Sequence, residues 1–522
     1  MSHSNAPQIT TTQGILAGTE NKTIGVRSFK GISFAAPPVG ELRWQPPQPV
    51  IPWTGVSNAT RFGPRAMQLP VFGDMSFRSN GMSEDCLYLN VWTPTHSVTE
   101  TLPVLLYFYG GGHIAGDGSE PRYDGEALAQ RGIIVVTANY RLNIFGFLAH
   151  PELTQESPHH ASGNYGFLDQ VAALQWVAQN ISAFGGNPTK ITIAGESAGS
   201  MSVSAMMASP LSRHIIAGAI GSSGALLSRL GPVPLAEAEA IGTTFATTIG
   251  APTLKALRAL PAETLLTAIT DTGVRYFPPT IDGYFLPQPL PAIYETGRQA
   301  QVPLLVGWNS EEMNSTFLMG ATPPTPTNFT ALVHGRYGDH AEKVLTLYPI
   351  TTEETTLQSA TDLAGDLFIG YSTWKWATLH QRNSHHPVYR YYYAHPRPPM
   401  TPEMGNAVAG LAGGILSDAP ANAHRPPPPR GAVHSADIEY FMGNLATNPV
   451  YAWTSEDHQL SELMQEYYAN FVKYGDPNHA DSPVWLPVTE SNGVPVMHID
   501  VSPHLEIAQN EARYEFLERY DL

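Results

Sequence analysis

One repeated order constrains this chain most: a short apolar run, a glycine-bearing break, a helical pattern, then another apolar run. Pro103-Val-Leu-Leu-Tyr-Phe-Tyr109 has the make-up of a strand covered on both faces, as in the middle of a parallel sheet, and Gly110-Gly-Gly112 breaks it. Gly132-Ile-Ile-Val-Val-Thr-Ala138 is a second such run. Between them, Asp124–Arg131 predicts a short helix with Asp124 as N-cap and Gly132 as its stop. Asn164–Phe184 is apolar at Leu168, Val171, Ala172, Leu174, Val177, Ala178 and Ile181, a three-to-four spacing that predicts an amphipathic helix closed by Gly185-Gly186. Lys190–Ala194 reads as a strand, then Gly195-Glu-Ser-Ala-Gly199, then a helical run Ser200–Ala208. Ile215–Ile220 and Val302–Gly307 predict further strands. Such alternation implies an α/β fold: a mostly parallel twisted sheet flanked by helices.

The remaining segments fit one body with insertions. Pro232–Arg275 is Ala/Leu/Thr-rich and helical, and Thr454–Lys473 predicts a late amphipathic helix. Ala394–Arg430 is rich in Pro and Gly, ends in Arg425-Pro-Pro-Pro-Pro-Arg430, and reads as a long surface loop. No repeat or linker separates two halves. The expectation is a single domain over residues 1–522 with helical insertions around 225–275 and 313–385.

Composition removes several functions. The net charge of −17 and the lack of a basic run disfavour nucleic-acid binding. No apolar stretch approaches the roughly 18 residues of a membrane span. The first seven residues carry neither a basic nor an apolar signal region, which predicts a cytoplasmic protein. The single cysteine, Cys86, permits no intrachain disulfide and no cysteine-based zinc site; it reads as a small buried hydrophobe.

Gly195-Glu-Ser197-Ala-Gly199 carries the chemistry because of its context, strand before and helix after. A sharp strand-to-helix turn admits only small residues beside the serine, and it lifts the hydroxyl to a helix N-terminus, where developing negative charge is favoured. A serine hydroxyl is a poor nucleophile unless a base takes its proton and donors meet the oxyanion. Gly110-Gly111-Gly112, directly after a strand, suits those donors, since glycine lets its backbone approach a substrate closely. Glu196, beside the serine, either adds field and hydrogen bonds or is a solvated turn residue.

Together with Phe29–Pro38, Ser83–Asn90, Tyr109–Gly112, Asn139–Leu142, Gly163–Gln170 and Phe184–Pro188, this motif resembles the type-B carboxylesterase family, the cholinesterase-like branch of the α/β-hydrolases. The resemblance runs from about Gly14 to the C-terminus. It implies Ser197 as nucleophile, the N–H groups of Gly111, Gly112 and Ala198 as oxyanion hole, and an acid in Leu304–Glu312. There Glu311-Glu312 is followed by Met313 instead of the usual Gly, and Glu312 aligns with the acid. The base falls on His434, in Gly431–Gly443. The order Ser, Glu, His is that of the α/β-hydrolases. His113, His150, His159 and His160 read as surface or packing residues. The resemblance further implies structural ion pairs Arg43–Glu84 and Arg141–Asp169.

Two departures from the family pattern matter. Secreted animal members close a disulfide onto the cysteine of Ser-Glu-Asp-Cys; here Ala66 occupies the partner position, so the 66–86 loop is expected to be ordered by packing alone. This favours a bacterial enzyme of a reducing compartment, although five N-x-[ST] tripeptides, at Asn21, Asn58, Asn180, Asn314 and Asn328, point mildly the other way. The cholinesterase-like members also hold a choline head on a Trp in this loop, whereas Met67–Asp85 offers only Phe72 and Phe77. The implied activity is carboxylic-ester hydrolysis through an acyl-enzyme on a small-molecule ester, with no metal or organic cofactor. A lipase, an amidase or peptidase on the same triad, and a non-catalytic adhesion-type member are the alternatives. The loops around 66–82, 275–290, 313–330 and 395–430 are expected to shape the pocket.

Overall fold

The computed structural model describes residues 6–95, 101–228, 231–274, 276–405, 407–411, 415–416, 429–480, 482–489 and 493–520. Eleven strands form one sheet: Thr19–Asn21 (β1), Val26–Ser33 (β2), Tyr88–Pro94 (β3), Leu102–Phe108 (β4), Ile134–Ala138 (β5), Gly186–Glu196 (β6), Gly218–Ser222 (β7), Leu304–Asn309 (β8), Val388–Tyr393 (β9), Pro495–Ile499 (β10) and His504–Ile507 (β11). Their order is β11-β10-β9-β8-β7-β6-β4-β5-β3-β2-β1. From β5 to β10 neighbouring strands run parallel; the pairs at the two ends are antiparallel. All five residues of β5 and the last five of β4 are buried, so both faces of the central strands are covered. Mostly apolar runs make this tolerable, and the buried Thr137 hydroxyl of β5 donates to Gly118 O at 3.0 Å.

Helices flanking the sheet include Glu126–Gln130 (α1), Tyr165–Asn180 (α2), Ala198–Ala208 (α3), Tyr371–Asn383 (α4), Ser455–Tyr474 (α5) and Glu511–Tyr520 (α6). α2 ends in a tight turn over Ile181–Phe184 that Gly185 closes in the left-handed conformation, at φ 88°. α5 opens on a capping box between Thr454 and Asp457. The region after β7 is helical over Leu235–Thr248, Leu254–Ala259 and Ala262–Thr272. No helix among the described residues is long and apolar enough to cross a membrane.

Several boundaries differ from the sequence reading. The strand expected at Ile215–Ile220 begins at Gly218, because the Ile215 N–H closes a turn on Ser212 and the chain reaches the sheet only where Ala217 N–H donates to Ile191 O. Gly125, not Asp124, is the N-cap of α1; Asp124 stands one residue earlier and accepts the Glu126 N–H at 3.0 Å. Of the expected loop over 394–430, the described part contains the short strand Val408–Ala409, while the Arg425–Pro428 stretch lies outside the described residues.

Both ion pairs are present. Arg43 grips Glu84 bidentately at 2.6 Å and also donates to Leu260 O at 2.7 Å; Arg141 grips Asp169 at 2.8 Å on both oxygens, fully buried. Cys86 and Ala66 face one small cavity with Glu84 and Arg141, and Arg65-Ala66 pairs alongside Met82-Ser83. Burial, reinforced by Asp169, pushes the Cys86 thiol well up, so it is packing and not a nucleophile. Asn180 of the third N-x-[ST] tripeptide is buried, its Oδ1 accepting from Thr12, and offers no acceptor surface.

Candidate active site

Ser197 sits between the last residue of β6 and the first of α3, at φ 54° and ψ −123°. A non-glycine residue there costs about 1–3 kcal/mol and persists only when its surroundings impose it. The imposing contacts are visible. A Cβ at Gly195 would lie 2.3 Å from the backbone carbon of Gly199, and one at Gly199 would lie 2.0 Å from Phe108 O. The two glycines therefore let β6, α3 and the end of β4 meet, and the serine between them takes the strain. Its N–H donates to Ser222 O at 2.9 Å, which ties the turn to β7.

The end of β4 supplies the opposing wall. Gly111 and Gly112 have φ 109° and 64°, and a Cβ at Gly111 would strike Ala115 O at 2.2 Å. Among the described residues, neither N–H is spent on a backbone hydrogen bond. Ala198 is the first residue of α3, so its N–H has no partner within the helix. These three donors, Ser197 and His434 all border one cavity of about 360 Å³. The rest of its lining is mainly apolar: Phe72, Met75, Tyr123, Met201, Tyr276, Phe368 and Leu411.

His434 and Glu312 come from loops that are stitched together. Glu311 bridges to Val433 in parallel, and the Glu311 N–H donates to Ala432 O at 2.8 Å. The two adjacent glutamates then diverge. Glu311 Oε1 accepts the N–H groups of Arg430 and Gly431, both at 3.0 Å. Glu312 turns inward: Oε2 lies 2.5 Å from His434 Nδ1, while Oε1 accepts from Ser223 Oγ at 2.5 Å and Asn309 N at 2.6 Å. A carboxylate with three fixed donors cannot rotate, so it fixes the imidazole in turn. The Phe368 ring meets His434 edge-to-face at 5.2 Å.

Glu196 is no solvated turn residue. It is buried, accepts from Ser435 Oγ at 2.8 Å, and stands 3.3 Å from His434 Nε2. Burial pushes its carboxyl up to about 7, against the opposing pull of His434. Burial alone would lower the imidazole, but Glu196 and then Glu312 override it and hold His434 at about 9. Among the described residues no hydrogen bond joins Ser197 Oγ to His434. Such catalytic hydrogen bonds commonly tighten only around bound substrate. His113 also borders the cavity; burial lowers it to about 4, and it contacts Ser202 Oγ at 3.0 Å among Tyr140, Phe147 and Phe167, as a packing residue does.

The structure thus brings every predicted site residue to one cavity or to its support. It adds three that the sequence did not single out: Ser223 and Asn309, which anchor Glu312, and Phe368, which packs on His434 from a π-helical turn at Asp366–Gly370. Ser222-Ser-Gly224 at the end of a strand resembles any polar turn, so no local signal marked it.

The chain is similar to known carboxylesterases. A model of the carboxylesterase family matches residues 5–517. Fumonisin B1 esterase of Sphingopyxis macrogoltabida is 34 % identical over 498 residues, spanning 91 % of this chain and 83 % of that protein. Para-nitrobenzyl esterase of Bacillus subtilis is 34 % identical over 492 residues, 90 % of this chain and 91 % of its own. Among solved structures, a PNB esterase superposes with a TM-score of 0.80 at 30 % identity, covering 98 % of this chain and 99 % of that one.

Proposed function

The chain belongs to the carboxylesterase family and is an ester hydrolase, and from that premise we propose that it works through an acyl-enzyme on a Ser197–His434–Glu312 triad. Ser197 Oγ attacks the ester carbonyl carbon while His434 takes its proton. The N–H groups of Gly111, Gly112 and Ala198 meet the oxygen as it becomes negative. His434 then passes the proton to the departing alcohol. Water, deprotonated by the same imidazole, releases the acid and restores the serine. Glu312 holds the imidazole tautomer with Nδ1–H toward itself and Nε2 toward the reaction.

The observation that carries this reading is a convergence. The strained serine, three N–H groups without a hydrogen-bond partner among the described residues, and an imidazole clamped at 2.5 Å by a buried glutamate border one cavity. The mainly apolar lining favours uncharged esters with apolar acyl or alcohol parts. Phe72 is the aromatic of the 67–85 loop that reaches the cavity, so a choline ester is not the expected substrate. Ser197→Ala is expected to lower kcat for p-nitrophenyl butyrate by about 10³–10⁶. Near-full activity in that variant would end the proposal.

A further inference from the structure

The sheet ends in a hairpin that the ester site does not use. β10 and β11 pair antiparallel, with His498 opposite His504 and Val496 opposite Glu506. Side chains alternate along a strand, so His498, His504 and Glu506 share one face, while Met497 and Ile499 turn into the core. One donor atom from each of the three lies within 4.8 Å of the other two. The imidazoles stack at 5.0 Å and 20°. Asp500 begins the turn; its Oδ1 is held by the Ser502 N–H at 2.7 Å, and Oδ2 lies 3.6 Å from His498 Nε2.

Three further features distinguish this group from chance surface polarity. His504 Nδ1 lies 3.0 Å from Ser502 O, which can only accept, so Nδ1 carries the hydrogen and Nε2 keeps its lone pair. His498 Nδ1 is buried with no hydrogen-bond partner, 3.5 Å from Glu506 Oε1. Two carboxylates stand here, and among the described residues no Lys or Arg pairs with either. Arg390 on the neighbouring strand β9 is already held by Glu511 at 2.8 Å.

We propose that this hairpin binds one borderline divalent cation, Zn²⁺ by preference, through His498, His504 and Glu506, with Asp500 beside it. Two imidazoles and one carboxylate suit Zn²⁺; Ca²⁺ and Mg²⁺ require six or more oxygens. Zn–N bonds of about 2.0–2.1 Å need the donor atoms closer together, a movement that the exposed His504 side chain supplies by rotation. Three protein ligands leave a position for water. The ion would clip β11, which has no outer neighbour among the described residues, to β10, and so raise the stability of the folded chain.

The test is calorimetric titration of Zn²⁺ into the full chain, with thermal melts alongside. The expected result is one binding event that raises Tm, weakened at least about tenfold in His504→Ala and in His498→Ala, since even loss of an outer partner costs that much. His385→Ala/His386→Ala, at an exposed histidine pair elsewhere, should leave it unchanged. His504 is exposed, so its variant folds and decides the matter if His498→Ala does not. Unchanged affinity in His504→Ala, or wild-type binding weaker than about 1 mM, would overturn the site.

Discussion

The two halves of the ester site are fixed by different means. On the nucleophile side the backbone decides: Gly195, Gly199 and Gly111 each stand where a Cβ would lie 2.0–2.3 Å from another backbone atom, and Ser197 inherits a forced conformation. On the acid–base side the side chains decide. Glu312 and His434 hang from two loops and are positioned by Ser223, Asn309 and each other. A backbone-built wall tolerates no substitution at its glycines but needs no partner. A side-chain-built wall is adjustable, and its electrostatics are shared with whatever stands beside it, here Glu196.

That contrast orders the expected effects. Replacing Glu312 by Gln breaks the side-chain wall at its centre, leaves the imidazole without its anionic partner, and should lower kcat on the order of 10⁴. Glu311→Gln, its neighbour, should spare kcat and cost stability instead, up to about 1.5–3 kcal/mol, because its carboxylate holds the Arg430 and Gly431 amides. Steady-state kinetics and melts of the two variants separate the roles; a larger kcat loss at 311 would show that the pairing with His434 is not the productive one.

The smaller effect is on pH dependence. The base must be neutral to accept a proton, so kcat/KM should rise with pH through the His434 value, about 9. Glu196 is the foremost charge raising that value. Glu196→Gln removes a negative charge beside the imidazolium and should move the rising limb to lower pH, towards the ordinary histidine range near 6.5. A limb that stays in place would sever Glu196 from the base and leave the side-chain wall closed to its neighbours.

The same contrast explains what the sequence disclosed. The nucleophile turn and Gly110-Gly-Gly112 were legible because backbone crowding, or at Gly112 a positive φ, calls for glycine, and both are local properties of a turn. The central strands were legible because burial on both faces demands unbroken apolar runs. Ser223, Asn309 and Phe368 were not, since each matters only through a partner 3 to 89 residues away in the chain, or in the case of Phe368 and His434 through a π-helical turn that sequence pattern does not announce. Glu312 was separated from Glu311 by resemblance to the family alone; the structure supplies the physical reason, one carboxylate turned to the backbone of residues 430–431 and the other to the imidazole. The burial of Glu196 was likewise unreadable, since it depends on Ser435 and on the loop that carries His434.

Covalent labelling tests the central claim most directly. An organophosphate should phosphorylate the protein once, abolish ester hydrolysis, and yield on digestion a modified peptide whose adduct maps to Ser197. An adduct on another residue with Ser197 unmodified, or loss of activity with no adduct, would contradict it.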